Sequence, residues 1–362
     1  MRVIISAGGT GGHIYPALAI INKIKKKEPN SEFLYIGTHN RMEKDIVPKR
    51  GIPFKSIEMY GFNKKNLLKN FKTVKCLLKA FKDAKKIIKE FNPDIVIGVG
   101  GYVTVPVIYS AKKLGYKTFL HEQNSLPGKS NRFLIKYSDM IGVSFPSSME
   151  SLPKDKTVLT GNPCSEDAVN KKAIDKKDIG LSENKKLVLI VMGSLGAGRV
   201  SKYLMDELQM FKDVNYEILF ITGKGSYDEV KGKKYPKNVK IIPFYEGLPS
   251  IMKKSDLMVT RAGASTLSEI IALRLPSIII PSPFVANNHQ FINAKDLVKS
   301  GGAEMIEEKD LDSGVLFKCV NNLIEDDKKI NNMKKSLSKI GVNNSADIIY
   351  NTIKELVDES NK

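Results

Sequence analysis

Two stretches of this 362-residue chain set a glycine-rich turn directly after a short apolar strand. They read VIISAGGTGGHIYP from Val3 to Pro16 and LVLIVMGSLGAGR from Leu187 to Arg199. Glycines in such turns let the backbone take positive φ and approach a ligand closely, and the helix that follows aims its unpaired N–H groups into the turn. That chemistry suits a phosphate or a sugar phosphate. Neither turn reads G-x-G-x-x-G, and the following strand ends in Gly37-Thr38 or Thr222, not in the acid that grips the ribose of a nicotinamide dinucleotide. No G-x-x-x-x-G-K-[ST] occurs, so a P-loop phosphotransferase is not expected.

Three of the four histidines, His13, His121 and His289, fall in loops of this kind. An imidazole with a pKa near roughly 6.5 can accept a hydroxyl proton at neutral pH. His13, at the end of the first strand, is the first candidate base, and Glu122 is the second. Thr266-Leu267-Ser268-Glu269 admits two readings: a capping box in which Glu269 satisfies its own helix, or a carboxylate offering lone pairs to a vicinal diol. Cys76, Cys164 and Cys319 show no C-x-x-C spacing, which fits a reduced compartment. The one D-x-D, Asp310-Leu311-Asp312, reads as a helix start. No metal and no cofactor are expected.

The elements that must carry these residues alternate strand and helix. Strands are expected at Arg2–Ala7, Glu32–Gly37, Phe54–Ile57, Asp94–Gly98, Lys117–His121, Met140–Val143 and Thr157–Thr160. A second series is expected from Leu187 through Glu217–Ile221, Val239–Ile242, Leu257–Val259, Ser277–Ile280 and Ala303–Ile306. Long helices are expected at Asn66–Phe91 and Ser345–Ser360. This rhythm predicts α/β architecture with parallel, doubly wound sheets. A turn at Gly161-Asn162-Pro163 marks the expected boundary between a first domain, 1–161, and a second, 162–342, with a terminal helix in 343–362 packing back on the first.

The formal charge of +19 comes almost wholly from lysine, since only seven arginines are present. Between Phe62 and Glu90 ten lysines face two acids, while Leu67, Phe71, Val74, Leu78, Phe81 and Ile88 recur at helical spacing. A solvated outer face and a surface for anionic lipid are both compatible with that pattern. No run of 18 apolar residues occurs, so membrane contact is expected to be peripheral. A basic nucleic-acid-binding protein is the alternative from another class. It is disfavoured by the few arginines and by the lack of aromatics among the lysines, so no nucleic-acid partner is expected.

The stretch RAGASTLSEIIALRLPSIIIPSPFVANNHQFINA, from Arg261 to Ala294, carries the sharpest signal. With GGTGGHIYP, GVGGYVTVP (Gly98 to Pro106) and HEQNSLPG (His121 to Gly128), it resembles glycosyltransferase family 28, over residues 1 to about 310. The resemblance implies a GT-B fold, two Rossmann-like domains facing a cleft. It also implies inverting transfer of N-acetylglucosamine from UDP-GlcNAc to the 4-hydroxyl of MurNAc in undecaprenyl-pyrophosphoryl-MurNAc-pentapeptide, lipid I, giving lipid II. A diacylglycerol glycosyltransferase is the nearest rival; it would share the UDP signature but not GGTGGH or HEQN.

By the same resemblance Glu269 takes the ribose hydroxyls, and Ala264, Ser265, Thr266 and Ser194 present donors to the diphosphate. Tyr245 reads the uracil edge, His289 and Gln290 face the sugar with Asn293 nearby, and Ser165 stands where an arginine is common. Thr10, Gly11, Gly12 and Asn124 hold the near side of the donor; Tyr102, His121 and Asn124 hold the acceptor. The resemblance further implies a peripheral position on the cytoplasmic face of the cell membrane, through the lysine-rich 62–90 segment, and cell-wall synthesis or division proteins as partners.

Overall fold

The computed structural model describes residues 1–59, 69–192, 198–342 and 344–360, and two compact units divide them. The first comprises residues 1–164 and the terminal helix Ser345–Ser360; the second comprises residues 165–342.

The first unit is built on a seven-stranded sheet of β1 (Arg2–Ala7), β2 (Glu32–Thr38), β3 (Phe54–Ile57), β4 (Ile95–Gly100), β5 (Lys117–Glu122), β6 (Met140–Val143) and β7 (Thr157–Leu159). The spatial order is β3-β2-β1-β4-β5-β6-β7, and every pairing is parallel. Val3 lies opposite both Phe33 and Ile95, so the strand order reverses between β1 and β4. Strands buried on both faces need unbroken apolar runs, and β1 and β4 supply them. Helices cover both faces. Gly11–Lys27 and Ser345–Ser360 bury Ile14, Leu18, Ile21, Ile349 and Ile353 on one side, with the Lys23 ammonium 2.8 Å from Asp347.

Lys69–Phe91 and Thr104–Lys113 cover the other side. The inward face of Lys69–Phe91 keeps Ile88 and half-buries Phe81 as the expected stripe has them, but departs from it at Leu78. Thr73, Cys76, Ala80, Ala84, Ile87 and Ile88 are buried, whereas Leu78 is 68% exposed. Ala80 and Ala84 are small enough to bring this helix close against its neighbour, and Phe81 lies edge-on to Tyr109, ring centroids 5.2 Å apart. Residues 62–68, including Leu67, lie outside the described residues.

The second unit repeats the plan with β8 (Lys186–Val191), β9 (Tyr216–Ile221), β10 (Val239–Ile242), β11 (Leu257–Thr260), β12 (Ser277–Ile279) and β13 (Ala303–Met305). Their order is β10-β9-β8-β11-β12-β13, again all parallel, and the reversal falls between β8 and β11. Asp310 ends a short 3-10 turn, and the next helix opens only at Val315, behind a left-handed Gly314. The D-x-D therefore precedes that helix and does not start it. Open parallel sheets bind ligands beyond the carboxyl ends of their strands at such reversals, and the first glycine turn of the sequence falls there; residues 193–197 of the second lie outside the described residues.

Candidate active site

In the first unit, the reversal point gathers the ends of β1 and β4. The Gly8 amide donates to the Gly100 carbonyl at 3.1 Å, and helix Gly11–Lys27 starts immediately beyond. Its first intrahelical bonds run from the His13 and Ile14 amides to the Thr10 carbonyl, so the Gly11 and Gly12 N–H groups lie ahead of the ladder. His13, partly exposed, sits in this first turn with Nδ1 3.1 Å from the Gly8 carbonyl oxygen. A carbonyl only accepts, so Nδ1 carries the proton and a neutral ring has its lone pair on Nε2.

Two of the glycines of GVGGY make room for this turn, Gly100 for the ring and Gly101 for the Gly8 carbonyl. A Cβ on Gly100 (φ +116°) would stand 2.6 Å from His13 Cδ2, and one on Gly101 (φ +93°) would stand 2.4 Å from the Gly8 carbonyl oxygen. Tyr102 follows them at 60% exposure, an aromatic surface beside the turn.

The loop after β5 is shaped by Glu122. Its Oε1 accepts from the Asn124 amide (2.9 Å) and Asn124 Nδ2 (3.0 Å), and its Oε2 accepts from the Gly128 amide (3.0 Å) and Asn131 Nδ2 (2.8 Å). Buried and ringed by four donors, this carboxylate holds the loop that presents Asn124.

His121 corrects the sequence expectation. It is completely buried, with Nε2 donating to the Gly161 carbonyl (3.0 Å) and Nδ1 accepting from Gln123 Nε2 (2.9 Å). Burial pulls its pKa down to about 4. A side chain pointing into the sheet cannot touch an acceptor, and His121 instead ties the end of β5 to the turn that closes the first unit.

In the second unit, helix Ala264–Leu273 starts just beyond β11. Gly263 is its N-cap and no side chain caps it; the first bond in the helix runs from the Leu267 amide to the Gly263 carbonyl at 2.9 Å. The amides of Ala264, Ser265 and Thr266 therefore precede the ladder, and the Ser265 hydroxyl is buried without a hydrogen-bond partner. Thr266 lies inside the helix, so the T-x-x-E capping box does not form. Glu269 is mid-helix and only partly exposed; burial, and then the charge of Asp167, push its pKa up to about 8.

Three side chains fix the loops around this helix. Arg261 Nη1 donates to the Ile280 carbonyl (3.1 Å) and to Glu308 Oε2 (2.9 Å), joining the ends of β11 and β12 to the segment after β13. Asn293, fully buried, donates from Nδ2 to the Ala262 carbonyl at 3.2 Å and so supports the turn from beneath. Gln290 Oε1 accepts from the Ser282 amide at 2.8 Å, which leaves its amide N–H groups as the donors it can offer. Between them Asn287 and Asn288 both take left-handed φ, 54° and 50°, directly before His289 opens the next helix. Tyr245 is partly exposed after β10, and Ser165 is buried in helix Cys164–Asn170. Ser194 lies outside the described residues.

Sequence reasoning missed Glu43, Asn131, Arg261 and Glu308. Only Glu43 leaves a trace in the sequence. A Cβ on Gly8 would meet Glu43 Oε1 at 2.6 Å and one on Gly37 would meet Glu43 Cγ at 2.6 Å, so two glycines mark the space it fills. Among the described residues, no group of three or more His, Cys, Asp or Glu side chains could hold a metal ion.

Residues 3–143 match the N-terminal domain of glycosyltransferase family 28 and residues 187–350 match its C-terminal domain. The UDP-N-acetylglucosamine–N-acetylmuramyl-(pentapeptide) pyrophosphoryl-undecaprenol N-acetylglucosamine transferase of Bacillus cytotoxicus is 46% identical over 99% of this chain and all of its own length. A Bacillus cereus transferase of the same name is 47% identical with the same coverage. The crystal structure of MurG from Acinetobacter baumannii superposes with a TM-score of 0.78 at 24% identity, over 98% of this chain and 99% of that one. With both halves of the family's architecture present, in order and over nearly the whole length, the chain belongs to glycosyltransferase family 28.

Proposed function

We propose that this chain transfers N-acetylglucosamine from UDP-GlcNAc to the 4-hydroxyl of MurNAc in lipid I, inverting the anomeric carbon and giving lipid II. The observation that carries the donor side is helix Ala264–Leu273, whose leading amides lack a side-chain cap and whose Glu269 stands one turn further in. A diphosphate accepts from those amides and a ribose diol donates to that carboxylate. The Bacillus relatives, named for this donor and acceptor, support the reading.

His13 Nε2 takes the proton of the 4-hydroxyl as its oxygen attacks the anomeric carbon. The bond to the β-phosphate oxygen breaks, and UDP leaves with the electron pair. Aligned amides stabilise the negative charge gained there without rearranging. Glu122, whose four acceptor positions are filled by its own loop, is assigned to shaping that loop, and His13 is assigned the base role. Tyr102 and Asn124 are assigned to the acceptor; Tyr245, His289 and Gln290 to the donor.

The acceptor is lipid-linked, so the protein must work at a membrane surface, and no helix among the described residues is long and apolar enough to cross one. Helix Lys69–Phe91 offers exposed Lys75, Lys79, Lys82, Lys85, Lys86 and Lys89 around the exposed Leu78. Beside it lies an aromatic cluster of Tyr109, Phe133 and Tyr137, with Lys136 5.1 Å from the Tyr137 ring centroid and Lys113 5.9 Å from that of Tyr109. Lysines flanked by a neighbouring cluster of Tyr and Phe suit an anionic headgroup layer. This surface is assigned to peripheral docking on the cytoplasmic leaflet.

The test is radiolabelled transfer from UDP-GlcNAc to lipid I and, separately, to diacylglycerol. Product on lipid I alone, with a loss of about 10²–10⁴-fold in kcat for His13→Ala, is expected. Transfer to diacylglycerol would overturn the acceptor assignment, and near-normal turnover by His13→Ala would overturn the base assignment.

A further inference from the structure

Glu43 opens the short helix Glu43–Ile46 and is completely buried, an expensive place for a carboxylate unless donors surround it. Three do. The Thr38 amide (3.0 Å) and Thr38 hydroxyl (2.6 Å) donate to Oε1, and the Gly9 amide donates to Oε2 at 3.2 Å. Tyr35, on the neighbouring β2, is the titratable group the structure sets against it. Burial, and secondarily the Glu43 charge, raise the Tyr35 phenol well above its ordinary range, so it stays neutral.

The Gly9 N–H and the Gly8 C=O belong to one peptide group. Its N–H faces Glu43, and its carbonyl oxygen accepts from His13 Nδ1 at 3.1 Å. A carboxylate on the N–H side polarises the amide and makes its oxygen a better acceptor. We propose that Glu43 acts on His13 through the Gly8–Gly9 peptide, holding the ring in its Nδ1–H tautomer and stabilising the imidazolium formed when Nε2 takes a proton.

Glu43 is therefore a positioning residue, one peptide group removed from the ring that a carboxylate contacts directly in hydrolase triads. No proton crosses the peptide. The hydroxyl proton goes to the Nε2 lone pair, Nδ1 keeps its own, and Glu43 exchanges no proton with either. The glycines are part of the device: side chains at Gly8 or Gly37 would displace the carboxylate, and one at Gly101 would displace the Gly8 carbonyl.

The catalytic consequence rests on the assignment of His13 as the base, but the link between Glu43 and His13 does not. The experiment reads the link first: ¹⁵N NMR of the His13 ring in the full chain, with its titration in the wild type, Glu43→Gln and Thr38→Val. The wild type is expected to show protonated Nδ1 and bare Nε2. Glu43→Gln removes the charge and is expected to lower the His13 pKa by about 0.5–1 unit, and to shift the acidic limb of kcat/KM for the acceptor downward by the same amount. The KM for UDP-GlcNAc should stay within about twofold. Thr38→Val loosens Glu43 without removing its charge and should leave the His13 pKa unmoved.

An Nε2–H tautomer in the wild type overturns the proposal, and that measurement decides even if Glu43→Gln does not fold. So does a Glu43→Gln titration matching that of Thr38→Val. Should His13→Ala remain active, the base assignment fails while the NMR titration still judges the link.

Discussion

The imidazole of His121, fully buried, donates from Nε2 to the carbonyl oxygen of Gly161 at 3.0 Å. A ring in this position must stay neutral, and its pKa falls to about 4 because burial penalises the charged form. In the unfolded chain the same ring titrates near roughly 6.5.

Between those two values the unfolded state binds the proton and the folded state does not. The His121 contribution to stability is thus expected to fall as pH is lowered from about 6.5 to about 4 and to level off below that range, whereas Glu269, whose folded pKa is raised to about 8, contributes the opposite slope between that value and the ordinary carboxyl range. Urea unfolding of wild type and His121→Gln at pH 7.5, 6 and 5 measures it: the stability difference between the two should shrink as pH falls. His121→Ala should cost about 2–4 kcal/mol through a cavity and unpaired polar groups. Were His121 an acceptor contact, its replacement would raise the acceptor KM and leave the unfolding curve in place.

Arg261 and Glu308 form the second buried relationship, with both side chains nearly enclosed. Glu308→Ala leaves a guanidinium without its carboxylate, and a loss of about 3–5 kcal/mol is expected. Because Arg261 also holds the Ile280 carbonyl, the loop leading to His289 and Gln290 should loosen. The donor KM is expected to rise severalfold with the acceptor KM unchanged. Arg261→Lys keeps the charge but loses the two-way fork, and it should reproduce the kinetic change with a smaller loss of stability. Steady-state kinetics alongside thermal denaturation separate the two effects; unchanged donor KM in both variants would remove the pair from the donor site.

The strands were legible because a parallel sheet buried on both faces leaves few alternatives to an apolar run between turn residues. β1, β3, β6 and β10 end where the apolar runs end. The candidate loops could be located for a related reason: the first glycine turn, His13 and His121 stand at carboxyl ends of strands. What the sequence hid was direction and distance. Nothing local says that His121 turns into the sheet while His13, in a similar loop, faces out. Glu43 serves Gly9 from 34 positions away, and no periodic pattern connects them. Leu78 matched an apolar stripe by spacing alone, yet it is 68% exposed while Ala80, Ala84 and Ile88 of the same helix are buried. The capping-box reading of Thr266 and Glu269 failed because the helix starts earlier, at Ala264.

Glu269 yields a prediction for donor binding. Its pKa of about 8, set by burial and then by Asp167, leaves the unliganded carboxyl mostly protonated at neutral pH. A vicinal diol donating two hydrogen bonds favours the ionised form, so binding releases a proton. UDP-GlcNAc affinity should therefore rise with pH up to about 8 and then level; the diphosphate diester itself does not titrate in that range. Calorimetry in buffers of different ionisation enthalpy reads the released proton directly. Asp167→Asn should shift the profile to lower pH by removing the lesser of the two causes, and Glu269→Gln should abolish it with at least about a tenfold loss of affinity. A binding constant independent of pH, with no proton released, would show that the carboxyl does not take the diol.

The surface around Leu78 gives the last expectation, and its salt and charge dependence can be separated from its apolar part. Lys75→Ala and Lys82→Ala should each weaken binding to vesicles containing anionic lipid by up to about 1 kcal/mol, and together they should reduce the salt sensitivity. Leu78→Ser removes an apolar side chain that the folded chain leaves 68% exposed, so folding stability should change little while vesicle affinity drops by about 1–2 kcal/mol at any ionic strength. Cosedimentation with vesicles of 0% and 30% anionic lipid, at low and high salt, resolves the two contributions. Transfer to a short-chain, water-soluble acceptor should be unaffected by all three variants, because the proposed reaction site is at the carboxyl ends of the strands and this surface lies on a covering helix. Equal binding of wild type and variants to neutral and anionic vesicles would mean that the lysines of helix Lys69–Phe91 only solvate the outside of the first unit.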